Sequence, residues 1–100
     1  MVPTAVATEG DAPARFALAP VAPNPSRARA TVTIETPGAA RVRVVVYDVL
    51  GCEVARLADG ELAAGRHAVA LAAAQLAAGV YVVRMTSGGF AATRRLTVVR

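Results

Sequence analysis

Turn-forming residues cut this chain into pieces that suit strands and little else. Pro20, Pro23 and Pro25, then Pro37-Gly38, Gly51, Asp59-Gly60, Ala64-Gly65, Gly79 and Ser87-Gly88-Gly89 punctuate the sequence. Signals recurring about every eight to twelve residues leave runs of the length typical of short strands in a sandwich or barrel. A helix standing on its own propensity needs about 12–15 residues, and the one alanine-rich stretch, residues 72–78, is shorter. It reads as a helical turn or loop ending at Gly79.

The runs between the breakers alternate apolar and polar side chains, which is the period of a half-buried strand. Phe16 and Leu18 alternate with small residues in a short edge pattern, halted by the three prolines that follow. Proline lacks the ladder N–H and holds its predecessor extended. Residues 30–35 place Val32 and Ile34 against Thr31, Thr33 and Glu35. Residues 41–48 are the clearest case, with Val42, Val44 and Val46 on one face and Arg41, Arg43, Val45 and Tyr47 on the other. Asp48 and Gly51 suit the turn that follows, Asp through its side chain and Gly through a positive φ. A return strand at 53–57 is expected, then turns at Asp59-Gly60 and Ala64-Gly65. Strands at 66–71 and 80–85 come next, and a last strand at 90–99 carries Ala92, Arg94, Leu96 and Val98 on one face.

These patterns predict an all-β fold, an immunoglobulin-like antiparallel β-sandwich of about seven strands over residues 15–100. Residues 1–14, with Pro3, Gly10 and Pro13 among alanines, read as a flexible linker or tag-like segment. They lack the basic start of an export signal and contain Glu9 and Asp11, so a chain complete in itself is not expected to enter the general export route, whereas in a longer protein the signal would lie upstream. The chain is 55% hydrophobic but only 4% aromatic, so Val, Leu and Ile must build the core, with Phe16, Tyr47, Tyr81 and Phe90 as large fillers. Modest stability is expected from so alanine-rich a chain.

All eleven basic residues are arginines, and the net charge is +4. They are spread along the strands rather than gathered in a run with interleaved aromatics, and no nucleic-acid motif accompanies them, so no nucleic-acid partner is expected. No run approaches the ~20 apolar residues that span a bilayer. A single Cys52 forms no internal disulfide, and one His67 supplies no zinc cage. Cys52 has no neighbouring histidine to activate it. The seven acids fall mostly in linker and turn positions, and phosphate loops and nucleophile elbows are absent. The chain reads as non-enzymatic, with no cofactor and no metal.

The landmarks also follow an order. Pro23-Asn24-Pro25, then Tyr47-Asp48-x-x-Gly51, Gly65-x-His67, Leu76-x-x-Gly79-Val80-Tyr81 and Thr93-Arg94-Arg95-Leu96 ending in Val98-Val99-Arg100 resemble the type A C-terminal sorting domain of type IX secretion. The resemblance runs from about residue 16 to residue 100. Each element alone is weak; five in order are specific.

This resemblance implies a tail that directs a cargo across the outer membrane to the cell surface. Its partners would be the type IX outer-membrane translocon and a cell-surface sortase, which often joins the cargo to anionic lipopolysaccharide. The recognition residues it implies are Thr93, Arg94, Arg95, Leu96, Val98 and Arg100. Pro23, Asn24, Pro25, Tyr47, Asp48, Gly51, Gly65, His67, Gly79 and Tyr81 would maintain the fold. Family members often carry lysine where this chain has arginine, and a polar or basic residue where Cys52 stands. A monomer or weak dimer is expected, the latter through the sheet edge near Phe16.

Two other readings share parts of the pattern. The immunoglobulin-like domain of flagellar hook-capping proteins has the Tyr-Asp-x-x-Gly hairpin and the Gly-Val-Tyr strand. It also has a Trp-Asp-Gly-like segment where this chain has Val69-Ala70-Leu71-Ala72. An accessory carbohydrate-binding sandwich would present several exposed aromatics, and this chain has four in all.

Overall fold

The period-two segments become seven strands in a computed structural model that describes residues 14–100. The expected linker at residues 1–14 lies outside the described residues, apart from Ala14. The strands are β1 (Ala17–Leu18), β2 (Ala30–Thr36), β3 (Ala40–Tyr47), β4 (Glu53–Leu62), β5 (Gly65–Leu71), β6 (Gly79–Ser87) and β7 (Phe90–Val98). A single 3-10 turn at Ala73–Gln75 occupies the alanine-rich stretch. All strand pairs are antiparallel, in a three-stranded sheet ordered β1-β2-β5 and a four-stranded sheet ordered β4-β3-β6-β7.

The two sheets bury their alternating apolar faces against each other. Val32 and Ile34 of β2 and Leu71 of β5 meet Val42, Val44 and Val46 of β3, Val83 and Met85 of β6, and Leu96 and Val98 of β7. Burying a side chain of this size stabilises the fold by about 1.5–3 kcal/mol, so this aliphatic layer supplies the main driving force. Polar groups caught in the layer are satisfied. The Thr36 hydroxyl donates to the Ala63 carbonyl at 2.8 Å, and the Ser87 hydroxyl donates to that of Arg41 at 2.7 Å. Tyr81 is buried, and its hydroxyl donates to the Ala77 carbonyl at 2.6 Å. A tyrosine bonding back to the chain a few residues upstream is also a hallmark of immunoglobulin-type sandwiches.

Two expectations change. Asp59-Gly60 is not a turn: β4 runs through it for ten residues, with Arg43 opposite Asp59 and Val42 opposite Gly60. The β3–β4 ladder has breaks in register between Val44 and Val45 and between Val46 and Tyr47. Such bulges twist an exposed edge strand and blunt its capacity to pair with other chains. The second change is Val45, which sits on the outer face yet is buried. It lies in register between Arg56 of β4 and Arg84 of β6, whose long aliphatic stems shield an apolar neighbour while their charged heads stay in water.

The β3–β4 and β6–β7 turns follow the sequence. The Asp48 carboxylate oxygen Oδ1 accepts from the backbone N–H of Leu50 and of Cys52, both at 2.9 Å, and Gly51 takes a φ of 84°. Between β6 and β7, Gly88 adopts a φ of 56° at the first position of a two-residue connection, the glycine placement of a type II′ hairpin turn.

Candidate recognition surface

β7 is one of the two edge strands of the four-stranded sheet, and its residues divide by parity. The inward set is Phe90, Ala92, Arg94, Leu96 and Val98; the outward set includes Thr93, Arg95 and Thr97. Leu96 and Val98 are fully buried core residues, so in the folded domain neither presents its side chain to a partner. Arg94 points inward at the open rim of the sandwich, and its Nε donates to the Leu18 carbonyl of β1 at 2.7 Å. Phe16 and Phe90 stack nearby with ring centroids 5.5 Å apart, so the two sheets are fastened along this rim. Arg100 is also engaged, its Nη1 donating to the Arg27 carbonyl at 3.1 Å and its Nη2 reaching the Ala74 carbonyl at 3.4 Å. Of the six residues the resemblance implied for recognition, Thr93 and Arg95 alone project from the outer face.

The outer edge of β7 is not free. Asn24 stands beside it, with its Nδ2 donating to the Arg95 carbonyl and its Oδ1 accepting from the Thr97 N–H, both at 2.9 Å. A side-chain amide thus occupies the donor and acceptor positions of a neighbouring strand. Ser26 continues the pairing through its backbone, its N–H donating to the Thr97 carbonyl and its carbonyl accepting from the Val99 N–H, each at 2.8 Å. The Ser26 hydroxyl is buried and donates to the Pro23 carbonyl. The prolines on either side of Asn24 have no N–H to offer a further strand. Pro23-Asn24-Pro25 is therefore a latch that pairs with β7 and ends the sheet.

The other motif residues have structural positions. Tyr47, expected as a core filler, is instead half-buried on the outer face opposite Val82, because strand parity turns it away from Val42, Val44 and Val46. His67 lies opposite Ile34 on β2, half-buried, with its Nε2 2.7 Å from the Ala63 carbonyl. Gly65 opens β5 and Gly79 opens β6. Cys52 is exposed in the β3–β4 turn, on the sheet opposite the one that carries His67.

The outer face of the four-stranded sheet carries charge unevenly. On the β4 side, Arg56 is clamped by Glu53 at 3.0 Å and Asp59 at 3.0 Å, and Arg43 lies 3.8 Å from Asp59. Hydrogen bonding to Glu53, helped by its charge, holds the Arg56 guanidinium above its ordinary pKa; arginine is cationic at any physiological pH in either case. On the β6–β7 side, Arg84 and Arg95 have no carboxylate within salt-bridge distance among the described residues. A shallow groove of about 630 Å³ runs there, lined by Tyr47, Asp48, Val49, Val82, Arg84 and Thr93.

Sequence reasoning missed Ser26, Arg84 and the Val49-Leu50 pair. The last had a visible signal: two large aliphatic residues in a turn where polar residues prevail.

Among the described residues, no group of three His, Cys, Asp or Glu side chains comes together to hold a metal. No helix there is long and apolar enough to cross a membrane. Their aromatics are buried or half-buried, which disfavours sugar stacking. The family model described as the secretion system C-terminal sorting domain matches residues 20–99. No curated protein and no solved structure matches the chain.

Proposed function

The chain belongs to the secretion system C-terminal sorting domain family, and on that premise we propose that residues 15–100 are a non-catalytic signal unit joined to a cargo through residues 1–14. Domains of this family are the sorting tails of proteins exported through the type IX system to the cell surface or beyond. The family match over residues 20–99 carries the reading. The cargo would be attached at the surface after a sortase separates it from the domain. The non-catalytic part of the reading is supported by the separation of Cys52 from His67 and by the pairing of Glu53, Asp59 and Glu35 with arginines rather than with one another. Absence of the Trp-Asp-Gly-like segment favours sorting over the hook-capping alternative.

The test is a fusion of residues 15–100 behind a periplasmic reporter in a host with the type IX system. The reporter is expected at the cell surface, and mass spectrometry is expected to find it freed of the domain. A folded, intact fusion that stays in the periplasm refutes the assignment. Deleting residues 93–100 is expected to abolish export more completely than Arg94→Ala, because the deletion removes Leu96 and Val98 from the core as well as the outward face of β7. Equal, negligible effects from both changes would locate recognition elsewhere.

A further inference from the structure

The large apolar side chains exposed among the described residues are Val49, Leu50, Val54, Val80 and Val82, and they gather at one end of one sheet. Val82 is in register with Tyr47 of β3, which is in register with Glu53 of β4. Val49 and Leu50 extend beyond Tyr47, Val54 follows Glu53, and Val80 lies two residues past Val82 towards the same end. Isolated exposed apolar residues are ordinary, whereas a gathered set marks an interaction site. Val49 and Leu50 are 76% and 84% exposed at the tip. The tip is held in place by the Asp48 bonds to the Leu50 and Cys52 N–H groups, so ordering it on binding costs little.

Charge identifies the occupant. Arg84 and Arg95 flank Val82 and carry uncompensated positive charge. Asp48, which has no cation within salt-bridge distance among the described residues, lines the same groove as Val82 and Arg84. An anionic bilayer would repel that carboxylate as the tip entered. A protein can match both signs. We infer that this end of the four-stranded sheet is the docking surface for a protein component of the type IX machinery. That component presents an apolar pocket to Val49 and Leu50 and carboxylates to Arg84 and Arg95. The inference rests on the sorting reading and locates its contact surface away from the buried Leu96 and Val98.

The test uses the full 100-residue chain fused behind the reporter, with thermal melts of each purified domain. V49S/L50S and R84E/R95E each change exposed side chains, and R29E/R41E makes the same charge change away from the patch. Export by the first two is expected to fall at least about tenfold, the scale of losing an interface anchor, with melting temperatures unchanged and the control exported normally. Normal export of both folded patch variants overturns the docking surface and leaves the sorting reading standing. Loss of export by R29E/R41E to the same degree also overturns it. Failure of the unaltered fusion to export refutes the sorting reading, and the docking surface falls with it. If the unaltered domain binds anionic lipid vesicles and the patch variants do not, the partner is a bilayer and the protein assignment is wrong.

Discussion

Replacing Asn24 with alanine isolates the latch on β7 from everything else the domain does. The side chain makes two hydrogen bonds to that strand, to the Arg95 carbonyl and the Thr97 N–H. Each such bond contributes about 0.5–1.5 kcal/mol net. Both lie at an exposed edge where water replaces the lost partner, so no buried group is stranded and the lower half of the range applies. The expected loss is about 1–2 kcal/mol, which for a domain of this size lowers the melting temperature by roughly 5–12 °C. N24D should fall between, because it keeps an acceptor for the Thr97 N–H and loses the donor to Arg95. The assay is thermal and urea unfolding together with amide exchange, in which the Thr97 N–H should exchange faster in N24A while amides in the β3–β6 ladder change only with global stability. An unchanged melting temperature and unchanged exchange at Thr97 would refute the latch.

Three further outcomes follow from the geometry. Leu96→Ala should destabilise by about 2–5 kcal/mol, the range for truncating a fully buried leucine. Its loss of export should track the unfolded fraction in a melt rather than a weakened contact. Gly51→Ala forces a side chain into the left-handed conformation and should cost about 1–2 kcal/mol, measured by urea unfolding; Gly38→Ala, at a turn position without a positive φ, should cost less. Arg94→Ala removes the bond to the Leu18 carbonyl and should loosen the rim, seen as faster exchange of the β1–β2 amides with a drop of about 1 kcal/mol.

Local alternation made the strands legible, and long-range pairing hid the rest. Val42, Val44 and Val46 announced β3 because the pleat of a strand repeats every two residues. The same parity already grouped Arg94 with Ala92, Leu96 and Val98, which is the inward set. What it could not show is that β7 is an edge, where an inward guanidinium can reach across to the carbonyl of Leu18. Asp59-Gly60 misled because turn chemistry is a local signal. In an edge strand Asp59 is held by Arg43 and Arg56, and Gly60 needs only to pair with Val42. The proline motif was visible as a landmark, but its partner strand lies about seventy residues away, and no local pattern encodes that distance. The docking tip was hidden differently: Asp48 and Gly51 looked like a turn and are one, and attention to the turn passed over the two aliphatic residues it displays.

The bonds from Asn24 reach residues 71 and 73 positions further along the chain. Contacts of such separation must offset the entropy of closing a loop of about seventy residues, and folds rich in them form slowly. The latch can therefore be made only after the chain has been synthesised through Thr97. A polypeptide that stops short of Thr97 has no N–H for Asn24 to hold, so the latched edge distinguishes a chain translated that far from one that was not.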